Sequence, residues 1–153
     1  MVAYGLTDQT VCLTILVKQL VYLTIRKGIM TVIRSTEGTE HRMHGAVFTA
    51  YANSAAGSAE LCAWSTRLPA GQAGAGHRIS REEIFLVLAG TPRVSLDGEE
   101  STLSPGDVVV APAHALLCLD NPAAQDALIW ATTSTGLSAQ LADGTEVRPP
   151  WAA

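Results

Sequence analysis

Past residue 30 the chain contains no lysine, and nowhere does it gather basic residues into a cluster. With a net charge of −4 over 153 residues, nucleic acid is excluded as an expected partner, because phosphate binding needs a basic stripe. Long apolar runs are also missing. The apolar stretch Val11 to Val17 and its continuation Leu20 to Ile25 is interrupted by Lys18 and Gln19. It falls short of the roughly 20 apolar residues of a membrane span and lacks a basic leader, so neither a transmembrane helix nor a signal peptide is expected. Cysteine is scarce and odd in number: Cys12, Cys62 and Cys118 have no short metal-type spacing. They read as reduced, buried thiols of a cytoplasmic protein rather than as a disulfide framework. A phosphate-cradling loop, a dinucleotide fingerprint and a nucleophile motif are all lacking, which leaves substrate and reaction open.

What the chain does have is apolar bulk, 48% hydrophobic against 16% charged residues, enough for one core and too little for two. Residues 1–30 stand apart. They hold both lysines and a single alanine, whereas residues 31–153 hold twenty-two alanines and seven arginines against thirteen acids. That break predicts an N-terminal extension of separate origin over 1–30, either an added edge strand or an upstream misreading before a native start at Met30, followed by one domain over 31–153.

From residue 31 the sequence reads as short strands between turn residues, the pattern of an all-β barrel or sandwich. Strands are predicted over 46–52, 60–68, 77–89, 93–96, 108–111, 115–119 and 127–132, with tight turns at Asp97-Gly98 and Pro105-Gly106. No run has a helical period. Alternation puts His77, Ile79, Glu83, Phe85 and Val87 on one face, pointing inward, and Arg78, Ser80, Glu82, Ile84, Leu86 and Leu88 on the other. The outer set is too apolar for a wall facing water, so a second sheet or a partner subunit must cover it, and a homodimer is expected.

Two spaced phrases carry the chemistry. The first is Gly71, five residues, His77, one residue, Ile79, three residues, Glu83, six residues, Gly90; the second is Gly106, five residues, Pro112, then His114, Leu117 and Asn121. The pair resembles the two motifs of the cupin family, over roughly residues 46–151, and also small single-domain actinobacterial cupins whose sequences end in a tail like Pro149-Pro150-Trp151. The resemblance implies a cupin-type antiparallel β-barrel, a jelly roll or double-stranded β-helix. It also implies a metabolic setting of the actinobacterial kind, in secondary metabolism. In that family the motifs supply three histidines and a glutamate to a divalent metal. Here His77 and Glu83 keep their places, but Ile79 and Leu117 stand where the other two histidines would, and carbon cannot coordinate a cation. A divalent cofactor is therefore less expected than a metal-free site; a metal, if bound, would fall to His77, Glu83 and His114.

Three function classes follow, all taking a small organic molecule as partner. One is a metal-independent isomerase, cyclase or dehydratase with His77 and Glu83 as the acid–base pair in an apolar barrel. Another is a metal-dependent oxygenase or isomerase with a rearranged site, and the third a non-catalytic ligand-binding or sensor protein. Ile79, Phe85, His114, Leu117, Trp64 and Tyr51 are the candidate ligand-binding residues, and Arg67 is a candidate anion anchor. A buried imidazole and carboxylate without partners would each be driven toward the neutral form, so persistence in an apolar interior implies pairing or use.

Overall fold

The structure is a computed structural model and describes residues 30–153. The expectations about the N-terminal extension, and Cys12 with them, lie outside the described residues. Twelve strands run through the rest: β1 (Thr39–Met43), β2 (Ala46–Ala52), β3 (Leu61–Leu68), β4 (His77–Ile79), β5 (Glu83–Ala89), β6 (Arg93–Leu96), β7 (Glu99–Thr102), β8 (Val108–Ala111), β9 (Leu116–Asp120), β10 (Ala127–Ser134), β11 (Ala139–Leu141) and β12 (Glu146–Val147). A single 3₁₀ turn, Pro150–Ala152, follows them. All pairings are antiparallel. One sheet has the order β1-β2-β3-β10-β5-β8 and the other β12-β11-β4-β9-β6-β7, the jelly-roll arrangement of two sheets around one core. Among the described residues no helix is long and apolar enough to cross a membrane.

Alternation builds the core. On β10, Ala127, Ile129, Ala131 and Thr133 are buried while the residues between them are half-buried, as expected of a strand with one face on a core. On β3 the same period buries Cys62, Trp64, Thr66 and Leu68. These side chains pack with Phe85 and Val87 of the same sheet and with Ile79, Val94 and Leu117 of the opposite one. The Asp97-Gly98 turn forms as expected: both residues have positive φ, 49° and 92°, and Leu96 pairs with Glu99 across a two-residue hairpin.

The predicted single strand 77–89 is instead two strands in different sheets. Ser80 to Glu82 carry the chain across the edge of the barrel, and hydrogen bonds tie this corner down. Ser80 Oγ accepts from Ser138 N at 2.8 Å, and Thr133 Oγ1 donates to the Glu82 carbonyl at 2.7 Å. The corner spans three residues, so the parity of the inward set survives it. Ile79, Glu83, Phe85 and Val87 are buried, whereas Arg81, which strict alternation would turn inward, is exposed.

Strands β1, β7, β11 and β12 were not anticipated. β7 reads Glu99, Glu100, Ser101, Thr102 and is exposed throughout; it is a strand because the Asp97-Gly98 turn folds it onto β6, not because of any pattern of its own. On the outer face of the first sheet, Ile84 lies opposite Val110 and Leu86 opposite Val108. Val108 and Val110 are 58% and 55% exposed, an apolar strip along the β8 edge.

Candidate functional site

Between the sheets lies a cavity of about 130 Å³. Strands β2, β3 and β5 supply one wall through Phe48, Trp64, Thr66, Glu83 and Phe85, and β4, β9 and β11 the other through His77, Ile79, Leu117, Ala139 and Leu141. The C-terminal turn closes one side. Trp151 stacks on Phe48 with ring centroids 3.8 Å apart and planes 5° from parallel. The Ala152 carbonyl accepts from Cys62 Sγ, and the Ala153 carbonyl accepts from Ser54 N.

Glu83 is the chemical centre of this space. It opens β5, where it pairs with Ala111 and Thr133, and is only 3% exposed. Among the described residues neither Lys nor Arg lines the cavity, and no hydrogen bond or neighbouring charge offsets its burial. Loss of water disfavours the charged form, so burial pushes the carboxyl up to about 8. At neutral pH Glu83 is therefore an uncharged acid with an O–H to donate.

His77 sits across the cavity on β4, opposite Leu117 on β9 and Leu141 on β11. Its Nδ1 lies 2.9 Å from the Ala75 carbonyl. A carbonyl only accepts, so Nδ1 carries the proton in this contact and the neutral ring keeps its free lone pair on Nε2. No hydrogen bond joins His77 to Glu83; the two are separate groups facing one space.

The structure brings His77, Ile79, Glu83, Phe85, Leu117 and Trp64 onto the cavity walls and leaves Tyr51, His114 and Arg67 off them. Tyr51 points outward and stacks on Trp130 at 5.5 Å. His114 is exposed, in a turn with φ of 71°, the conformation that favours glycine. Its backbone N donates to the Ile79 carbonyl at 2.7 Å, and its carbonyl accepts from Arg78 Nη1 at 3.0 Å. Arg67 pairs with Asp126 at 3.2 Å. Asn121, last residue of the second phrase, is a staple: fully buried, its Nδ2 is shared among the carbonyls of Leu68, Pro69 and Gln125.

Phe48 was missed by sequence reasoning, although alternation along β2 with the small residues Ala46 and Ala50 would have turned it inward and Tyr51 outward. His44, Leu137 and Leu141 were also missed; they come from turns and a three-residue strand with no period to detect.

The residues present do not fit the family's metal. Ile79 and Leu117, each 1% exposed, occupy two of the four donor positions. Among the described residues no group of three or more His, Cys, Asp or Glu could hold an ion.

A family model described as "Cupin domain" matches residues 64–132, the segment that holds both phrases and both central strands. An RmlC-like cupin from Shewanella frigidimarina is similar at 19% identity, with 69% of this chain and 91% of that one covered and a TM-score of 0.60. KdgF from a Halomonas species shares 26% identity over 68% of this chain and 94% of its own, with a TM-score of 0.59. The polyketide cyclase RemF from Streptomyces resistomycificus shares 14% identity over 69% of this chain and 80% of its own, with a TM-score of 0.62. No functionally curated protein matches the sequence. Two six-stranded antiparallel sheets, the two spaced phrases on paired strands and the domain model matching residues 64–132 together show that this chain contains a cupin domain.

Proposed function

We propose that this cupin binds a small cyclic organic molecule in its apolar barrel and moves a proton on it without a metal, in an isomerisation, cyclisation or dehydration. One observation carries the reading: a carboxyl that burial keeps protonated, facing a cavity in which no described residue hydrogen-bonds to it. The carboxyl opens onto the cavity, where a ligand can take up its O–H. Glu83 serves as the acid and the free Nε2 of His77 as the base. With an enolisable ring ketone, His77 removes a proton from the α-carbon. The C–H pair becomes the new C=C bond, the carbonyl π pair moves to oxygen, and Glu83 supplies the proton there. Where the ring also carries a β,γ double bond, the resulting dienol takes the proton back from His77 at the γ-carbon while the O–H proton returns to Glu83 and the carbonyl re-forms, which moves the double bond into conjugation and restores both residues. In support, a protein of matching fold, RemF, is a polyketide cyclase, an analogy of fold and not of site.

The test is solvent deuterium exchange at the α-carbons of cyclohexanone, followed by proton NMR at pH 7. Exchange above the buffer rate, lowered about 100-fold or more in His77→Gln and in Glu83→Gln, is the expected result for general acid–base catalysis. Wild-type exchange at the buffer rate refutes catalysis and leaves a binder or sensor; exchange unaffected in both variants refutes the residue assignment.

The protein works as a cytoplasmic homodimer in this reading, in keeping with free Cys62 and Cys118 and with the outer face of the first sheet. Ile84, Leu86, Leu88, Val108, Val110 and Trp130 carry no charge there; four of them are exposed, and Leu86 and Trp130 are half-buried. Such a face is covered most simply by its own copy.

A further inference from the structure

We propose that the cavity selects an uncharged, single-ring ligand that offers one hydrogen-bond acceptor to Glu83, and that it rejects anions. The inference uses the same cavity as the catalytic reading, but needs only that Glu83 faces the ligand, not that a proton is transferred.

Charge decides the first part. Among the described residues the walls hold one carboxyl, two imidazoles and no Lys or Arg. Arg67 and Arg78, which lie on cavity strands, are turned away and engaged, Arg67 with Asp126 and Arg78 with the His114 carbonyl and with Asp97 at 3.8 Å, and Arg81 and Arg148 are exposed and off the cavity walls. A carboxylate or phosphate entering this space would shed its hydration beside Glu83 with no cation to receive it, which is the costliest kind of burial.

Hydrogen-bonding capacity decides the second part. A protonated carboxyl has one O–H to donate, and among the described residues no side chain or carbonyl accepts it. Of the other polar wall groups, Thr66 accepts from Trp64 Nε1 at 3.1 Å, Gln72 Nε2 donates to the His44 and Ala73 carbonyls at 2.8 Å each, and His77 Nδ1 is held by the Ala75 carbonyl. One ligand acceptor, a ketone or ether oxygen, completes the site; further polar groups on the ligand would be stranded against Ile79, Phe85 and Leu117.

Size decides the third part. A volume of about 130 Å³ is close to that of an apolar cavity known to hold one benzene, about 150 Å³. It takes a six-membered ring with a short substituent. A second fused ring requires Trp151 to leave its stack on Phe48.

Three probes of one ring size separate these properties: acetophenone, ethylbenzene and benzoate, each titrated at pH 6.5 by calorimetry with thermal melts as a check on folding. Acetophenone is expected to bind about ten-fold tighter than ethylbenzene, the worth of one hydrogen bond, and benzoate about 100-fold weaker than acetophenone or not at all. Glu83→Gln, whose amide still donates, keeps the acetophenone preference, and Glu83→Leu abolishes it. Benzoate binding as tightly as acetophenone overturns the inference. So does an acetophenone preference that survives in folded Glu83→Leu, or failure of every probe to bind at millimolar concentration. The two readings fail separately: acetophenone selected over benzoate with no deuterium exchange sinks catalysis and leaves the ligand class standing. Exchange with no discrimination among the probes does the reverse.

Discussion

Replacing Glu83 by glutamine should change the pH dependence of stability more than any other single substitution in this protein. The Glu83 carboxyl titrates near 4.5 when free and near 8 in the fold. Below 4.5 it is protonated in both states and contributes nothing to the pH dependence. Between the two values the unfolded chain releases its proton and the folded one keeps it, so stability falls as pH rises, a trend that ends only above the folded value. At about 1.4 kcal/mol per unit, the linkage removes about 3 kcal/mol between pH 4.5 and 7 and a further 1 to 1.5 kcal/mol by pH 9. Glutamine has nearly the same shape and no charge to release. Urea unfolding of wild type and Glu83→Gln across pH 4.5 to 9 should give a stability difference that grows in favour of the variant by about 4 kcal/mol. Near pH 7 the difference amounts to roughly 10 °C in melting temperature for a domain of this size. A difference between the two proteins that stays constant within about 0.5 kcal/mol over that range would refute the reasoning, since it would mean that water or an unrecognised donor stabilises the carboxylate.

Other expectations follow from the backbone, the C-terminal turn and the outer face. A Cβ at Gly90 would lie 2.7 Å from Ala127 Cα and 2.7 Å from the Asp126 carbonyl oxygen, at a φ of 78°; a Cβ at Gly106, φ 95°, would meet nothing within 4 Å. Gly90→Ala should therefore cost more than about 3 kcal/mol in denaturant unfolding, and Gly106→Ala only the roughly 1–2 kcal/mol of a left-handed alanine. Trp151→Ala removes the stack on Phe48 and opens the cavity wall, and should lower stability by about 3 kcal/mol or more in the same assay. Val108→Glu with Val110→Lys should convert a dimer to a folded monomer in sedimentation at micromolar concentration; a wild-type monomer there would refute pairing through this face.

The inward set on β4 and β5 was legible in the sequence because side-chain period and motif spacing agree. Ile79 and Glu83 are four residues apart, and a three-residue corner between two strands leaves parity as a single strand would. The corner itself was not legible: Ser80, Arg81 and Glu82 carry no glycine or proline to mark it, and what bends the chain there is hydrogen bonding to Ser138 and Thr133, more than fifty residues away. The same distance limits the C-terminal part of the site. β11 and β12 have three and two residues, too few for a period, and they exist because Ala139 pairs with Ile79. His114 shows a different limit. Its residue type invites a chemical role, but its backbone occupies a left-handed turn of the kind that favours glycine, and its side chain is exposed.

Two apolar residues separate this barrel from a metal-binding one, and that difference can be reversed. Leu117 lies directly opposite His77 in the β4–β9 register, where facing Cβ atoms stand about 4.5–5.5 Å apart, and Ile79 is the next inward residue on β4. Ile79→His together with Leu117→His would set four donors around the point where Glu83 faces the cavity, enough for zinc with tetrahedral geometry. The double variant should retain close to one zinc per chain by mass spectrometry after dialysis and give the visible absorption of four-coordinate cobalt on substitution. A divalent ion beside Glu83 would also supply the counter-charge that the wild-type cavity lacks, so the carboxyl would ionise and the loaded variant would lose the fall in stability between pH 4.5 and 9. A folded double variant that binds no metal would show that the four side chains do not converge and that the likeness to metal-binding cupins ends at the backbone. A metal-loaded variant that kept the wild-type pH profile would show that Glu83 stands apart from the ion, and that burial alone, not the missing cation, sets its protonation.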